Sequence, residues 1–250
     1  MFGWRKRIGY ISPTVMEVLP YEFYRFAPDG VGLVGVTCMI DDWRPEEFEK
    51  GLAQVKSAAA YLGSRNVDFV IHGGGPLVVA RGPGYEETIV REIAAASGVP
   101  ATTGVRSGME ALRAVNAGRI VIASPYPPRH DEALAGYLKT FGFEILEARG
   151  ANLPFKDLQV QKPTEIYDFV KRVIADNPSC DTVYLPCPQW QSAQVVAAIE
   201  EDTGKTAVAY THANFYVACT GMGVAFDICG HGRLLASLSS NSSKSPMRGA

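Results

Sequence analysis

The feature that most restricts what this chain can fold into is a short run that occurs twice. Residues 7–13 read Arg-Ile-Gly-Tyr-Ile-Ser-Pro and residues 119–125 read Arg-Ile-Val-Ile-Ala-Ser-Pro, so four of seven positions agree at an offset of 112. A second pair, 68–74 and 181–187, returns at an offset of 113. The spacing is too long for a solenoid repeat. In 250 residues it fits two similar lobes of ordinary domain size.

Apolar, β-branched runs predict strands at 8–11, 31–37, 67–71, 100–102, 119–123, 143–148, 182–185 and 206–209. Several are almost wholly apolar, as strands buried on both faces of a parallel sheet must be. Amphipathic runs between them predict helices at 45–62, 85–96, 107–116, 129–141, 164–176 and 191–202, with Asp41 and Asp42 offered as caps for the first. Strand–helix alternation means βαβ units. The expected fold is therefore α/β, with two pseudo-symmetric lobes. Each holds a roughly four-stranded parallel sheet flanked by helices, with the active site in the cleft between them. The lobes are drawn as 1–115 with 218–236, and 116–217. Residues 237–250, rich in serine, read as a flexible tail.

Composition excludes several functions. Lys and Arg total 24 against 26 Asp and Glu, a net charge of −2, which is unlike a nucleic-acid binder built on positive charge. No run approaches the roughly 20 apolar residues of a membrane span, and no secretory leader is read at the start. Five scattered cysteines without a CxxC spell neither a zinc site nor a disulfide framework. A cytoplasmic setting and no metal are expected.

Ligands of open parallel sheets bind beyond the carboxyl ends of strands. The repeat puts four such ends at matched places: Pro13-Thr14, Gly73-Gly74-Gly75, Pro125-Tyr126 and Pro186-Cys187-Pro188. If the lobes face one another, Gly74 stands opposite Cys187. Two readings of Cys187 stand side by side. A helix opening at Gln191 would favour its thiolate, or it is a buried, inert packing residue. The three glycines could turn N–H groups toward a carboxylate or simply make a tight turn. Tyr126 could donate to a substrate oxygen or serve the lobe interface. Thr102 and Thr103 offer hydroxyls to a carboxylate or end a strand, and Arg106 could pair with a carboxylate or face solvent. His72 and His212 are acid–base candidates or structural. Cys38 reads as packing, and Cys180, Cys219 and Cys229 have no supporting context.

These turns, in this order and spacing, resemble the aspartate/glutamate racemase superfamily, and within it the maleate cis–trans isomerase and arylmalonate decarboxylase branch. The resemblance spans roughly residues 5 to 236, including the Arg81-Gly82 pair and the closing Gly232-Arg233-Leu234. It implies two pseudo-symmetric lobes, an active site between them and no cofactor. Racemases of this kind carry a cysteine on each side of the cleft. Here the second is Cys187 and the first position is Gly74, a single-cysteine pattern similar to the decarboxylase, whose tyrosine Tyr126 matches. One thiol protonates one face of an enediolate, whereas two-base racemisation needs a group on each face.

The chain also departs from the decarboxylase pattern. Gly75 and Pro76 stand where it has hydroxyl residues, and Pro188 where it has glycine. The first turn, Ser12-Pro13-Thr14-Val15, lacks the isomerase asparagine. The resemblance thus implies decarboxylation of a malonate-like acid with Cys187 as catalytic proton donor. Gly73, Gly74, Gly75, Tyr126, Pro13, Thr14, Thr102, Thr103 and Pro188 would bind the substrate. A maleate-type isomerase or racemase is the alternative, and a non-catalytic carboxylate-binding protein the rival of another class. A small carboxylic acid is the expected partner, and homo-oligomerisation is left open.

Overall fold

The computed structural model describes residues 2–239. Two four-stranded parallel sheets form with the same strand order, β2-β1-β3-β4 and β6-β5-β7-β8. The first uses β1 (Lys6–Ser12), β2 (Val31–Thr37), β3 (Phe69–His72) and β4 (Ala101–Thr103). The second uses β5 (Arg119–Ser124), β6 (Glu144–Gly150), β7 (Thr182–Leu185) and β8 (Thr206–Ala209). All eight expected strands are present, because runs such as Phe69–His72 and Thr182–Leu185 are buried along their whole length.

The repeat survives at the level of single hydrogen bonds. Asp68 accepts the N–H of Arg7 at 2.7 Å, and Asp181 accepts that of Arg119 at 2.7 Å. Each carboxylate thereby fixes the start of a central strand against its neighbour.

Ten helices connect the strands among the described residues. They are α1 (Val18–Phe26), α2 (Pro45–Gly63), α3 (Gly75–Ala80), α4 (Tyr85–Ser97), α5 (Gly104–Ala114), α6 (Pro128–Thr140), α7 (Pro163–Asp176), α8 (Val196–Thr203), α9 (Tyr210–Gly221) and α10 (Arg233–Ala236). Four of them, α1, α3, α9 and α10, have no counterpart in the sequence expectation. Helix α1 carries Pro20 in its first turn, where a missing N–H costs nothing. Helix α9 is buried nearly all round, so it shows no polar face to mark it. Two helix starts also differ. Helix α5 begins at Gly104 because the Thr103 hydroxyl caps it, accepting the Arg106 N–H at 3.1 Å. After Cys187 the chain makes an irregular turn and a short 3₁₀ segment, Ala193–Val195, before α8 starts at Val196 rather than at Gln191. Asp41 and Asp42 do not cap α2, whose preceding residue is Arg44. Asp42 instead accepts the Arg44 N–H at 2.6 Å.

The two lobes exchange a helix. Val105, Met109 and Leu112 of α5 pack with Ile120, Ile122 and Val208 of the second sheet. Phe215, Ala218 and Cys219 of α9 pack with Ile8, Tyr10 and Phe69 of the first. Both faces of a parallel sheet must be covered, and each lobe takes one cover from the other half of the chain. Leu238, inside the expected tail, is also buried in the first lobe's core. The rest of that tail, 240–250, lies outside the described residues.

Close packing at the exchange admits no side chain at Gly104. A Cβ there would overlap the ring and hydroxyl of Tyr210. Gly136, exposed on α6, has open space instead. Gly104→Ala is expected to destabilise the fold by about 1–3 kcal/mol through overpacking. Gly136→Ala is expected to stabilise it by about 0.5–1 kcal/mol through helix propensity. Urea unfolding of the two variants checks the opposite signs.

Candidate active site

The cleft lies where the carboxyl ends of β1, β3, β5 and β7 meet between the lobes. It encloses about 370 Å³ of atom-free space, part of it open to solvent. Pro13, Thr14, Gly74, Tyr126, Cys187 and Pro188 all line it, so the structure brings together residues from both halves of the repeat. Gly74 is left-handed, with φ 79°. A Cβ there would sit 3.1 Å from the Pro13 ring.

Other expected residues are not in the walls of this cleft. Gly73 lies behind it, its N–H donated to the Ile11 carbonyl at 2.8 Å, and a Cβ there would overlap the Tyr10 hydroxyl. Gly75 faces a second, apolar pocket, partly open to solvent, which shares Pro76 and Tyr126 with the cleft. Thr103 spends its hydroxyl on capping α5, and the buried Thr102 hydroxyl turns to the Thr103 carbonyl. Neither residue lines the cleft around Cys187. Arg106 pairs with Glu86 at 3.0 Å and Glu110 at 3.6 Å, away from the cleft. His72 is buried and its pKa pushed down to about 4 by burial. His212 lines a different cavity.

Tyr126 is placed by its own turn. Its N–H donates to Ser124 Oγ at 2.9 Å, and that hydroxyl donates to buried Asp131 at 2.6 Å. The serine that recurs in the repeat thus pins the turn. The Tyr126 hydroxyl donates to the Pro186 carbonyl at 3.2 Å and also lies within hydrogen-bonding reach of the Cys187 thiol. Both residues are buried, Cys187 to 1% exposure. Burial pushes the Cys187 thiol up to about 12. The Tyr126 hydroxyl and the N–H groups of Gln189 and Trp190 favour the thiolate but do not outweigh burial. Of the two readings of Cys187, the one that relied on a helix start at Gln191 lacks that helix. With no regular helix until Val196, no dipole offsets the desolvation, and the resting sulfur is a neutral thiol.

Several wall residues gave no sequence signal. Trp43 stands edge-on to Tyr126, with ring centroids 5.5 Å apart, and to Phe155 at 4.7 Å. With Ile40, Leu77 and Leu158 they make one side of the cleft apolar. Behind Cys187, Tyr10 and Tyr210 share a hydrogen bond of 3.0 Å across the lobes. Glu22 of α1 is buried, accepting the Ala193 N–H at 2.8 Å and the Thr211 hydroxyl at 2.6 Å. Gln189 donates to the Val15 carbonyl at 2.7 Å. These two side chains staple the irregular turn after Cys187 to the first lobe. Only the alternation of chain segments in space could reveal such contacts, since the partners lie more than a hundred residues apart.

Comparison with known proteins places this architecture. The family model described as arylmalonate decarboxylase matches residues 8–235. The chain belongs to that family. It is 27% identical to maleate isomerase of Pseudomonas putida over 201 residues, covering 77% of this chain and 79% of that protein. It is 25% identical to arylmalonate decarboxylase of Bordetella bronchiseptica over 218 residues, covering 84% and 88%. Among solved structures, maleate isomerase of Pseudomonas putida S16 with maleate superposes with a TM-score of 0.86 at 18% identity, covering 92% of this chain and 97% of that one. A liganded variant of arylmalonate decarboxylase gives 0.85 at 21%, covering 92% and 98%. At those identities the structural likeness concerns the fold. The named relatives are enzymes, a decarboxylase and isomerases, and the acids in their names are small carboxylates. Among the described residues no helix is long and apolar enough to cross a membrane.

Two measurements check the electrostatics. Alkylation of Cys187 by iodoacetamide, followed by peptide mass spectrometry, is expected to be slower than that of exposed Cys229 near pH 8. It should quicken about tenfold per pH unit up to pH ~11, tracking the thiolate fraction. Fast labelling of Cys187 at neutral pH would remove the neutral-thiol assignment. Burial also raises Glu22 from 4.5 to about 8. The stability due to its neutral form is complete below 4.5 and lost as pH rises through about 8. Glu22→Gln should flatten that alkaline loss in urea melts at pH ~5 and pH ~9.

Proposed function

We propose that this protein decarboxylates a malonate-like acid carrying an apolar substituent, with Cys187 as the proton donor. The observation that carries this reading is the cleft itself. Cys187 is the one thiol among its described walls, it is neutral at rest, and a glycine stands across from it. The bond to one carboxyl group breaks and CO2 leaves, its electron pair staying behind as an enediolate. The Cys187 proton then moves to the α-carbon, and the thiolate regains a proton from water. A thiol held protonated suits this role, since a donor must still hold its proton when the carbanion forms.

Oxygen ligands come from the same turns. The Thr14 hydroxyl and the Tyr126 phenol border the cleft. The N–H of Gly74, just before α3, has no acceptor within the helix. Pro188 supplies no N–H, which fits a substrate held differently from that of arylmalonate decarboxylase. The apolar side formed by Trp43, Phe155 and Leu158 suits an aryl or alkyl group on the α-carbon. Nothing in this scheme calls on a cofactor.

A second reading rests on the similarity to maleate isomerase, slightly higher than that to the decarboxylase. One structural neighbour, the maleate cis–trans isomerase of Nocardia farcinica, holds a covalently bound succinylcysteine. That chemistry begins with a nucleophilic sulfur, and the buried neutral Cys187 thiol is a poor nucleophile until a substrate or a base ionises it.

The test incubates the protein with substituted malonates and with maleate in D2O, followed by NMR. The expected result is CO2 loss with one deuterium placed at the α-carbon. Cys187→Ser should slow it by about 100-fold or more while melting stays cooperative. Gly74→Cys should add α-proton exchange on the product acid, because a second thiol then reaches the opposite face. A strain cost of about 1 kcal/mol or more is expected at that left-handed position. Retention of more than about a tenth of the activity in Cys187→Ser removes the thiol from the mechanism. Conversion of maleate to fumarate without decarboxylation replaces this reading with the isomerase.

A further inference from the structure

A separate cavity, of about 680 Å³ of atom-free space, opens between α1, α9 and the starts of α7 and α8. It shares no wall residue with the cleft around Cys187. His212 of α9 lines it, is 99% buried by its 1% exposure, and has no hydrogen-bond partner at either ring nitrogen. A neutral imidazole carries one N–H donor and one lone pair. Buried groups of this kind normally find partners, so an imidazole with neither satisfied is built for something that enters the cavity.

The surroundings say what kind of ligand that is. The His231 ring lies 6.2 Å from that of His212 and borders the same space. Arg25, also in the wall, donates to the Tyr21 hydroxyl at 3.3 Å and makes no ion pair among the described residues. Three groups able to carry positive charge therefore converge. Burial lowers the pKa of both rings, and Arg25 adds to this at His231 and His231 at His212, so the imidazoles are neutral donors beside a charged guanidinium. The acid in the wall, Glu22, does not answer them. Its two oxygens already bond Ala193 and Thr211, and burial keeps it protonated at neutral pH. Pro163 opens α7 and Ala197 lies in the first turn of α8, so two helix N-termini add positive potential at the rim. The cavity presents donors and positive charge with no anion of its own.

We propose that this cavity binds a small oxyanion, a carboxylate or inorganic phosphate, between Arg25, His212 and His231. The anion accepts from the guanidinium and from an N–H of each neutral imidazole, supplying His212 with a partner that it lacks. Charge-assisted bonds to Arg25 make it the main anchor.

The test titrates the full chain separately with phosphate and with acetate, at constant pH and ionic strength, and follows the four histidines by imidazole NMR. His212 and His231 are expected to shift saturably, and buried His72 to stay fixed. The salt that saturates at the lower concentration identifies the anion class. Arg25→Gln, at an exposed position that leaves folding intact, should weaken binding by about tenfold or more, and His212→Gln should weaken it independently. No saturable shift at His212 and His231 with either salt overturns the proposal. So does an equal shift at His72, or unchanged affinity in Arg25→Gln.

Discussion

The contact between the first residues of α5 and α9 governs the geometry of the whole molecule. Gly104 opens one helix and Tyr210 the other, and the tyrosine lies so close to the glycine that no Cβ fits. Each helix follows the last strand of one sheet and covers the other sheet. The reason is burial: a parallel sheet has two apolar faces, and one face of each sheet is covered by a helix from the other half of the chain. By crossing at this point the helices lock the lobes at one separation. The Tyr210 hydroxyl then meets Tyr10 from the first sheet, and the floor of the cleft is set.

That locked interface also decides the electrostatics. Cys187, Tyr126 and Glu22 lie away from water, and the dominant influence on each is the loss of solvation. For a nucleophile such burial is a handicap. For a proton donor it is an asset, because the thiol keeps its proton until a carbanion forms beside it. Glu22 serves a structural purpose in the same dry region, holding Ala193 and Thr211 to α1 as a neutral acid.

How much of the site was readable depends on where each residue sits in the repeat. Pro13, Thr14, Gly74, Tyr126, Cys187 and Pro188 follow strand ends, and strand ends in a parallel sheet point the same way. Those residues meet in the cleft. Thr102 and Thr103 lie within β4 itself, an edge strand, and the Thr103 hydroxyl accepts the cap bond of α5. Gly73 sits one residue too early, its N–H still paired within the sheet. The family resemblance supplied the pairing of Gly74 with Cys187, which the offset between the two halves had placed at matched turns.

The sequence by itself determined the strands, their parallel pairing in two like sheets, and the turns that carry polar and thiol groups. Local patterns do this because an apolar run of four residues has few other uses, and because a repeat copies its register. Only the tertiary structure decided which helix covers which sheet, that Trp43 and Phe155 wall the cleft, that Glu22 staples the Cys187 turn, and that His212 faces a second cavity. Those contacts join residues far apart in the chain. Their energies come from burial at the lobe interface, a quantity no local window of sequence contains.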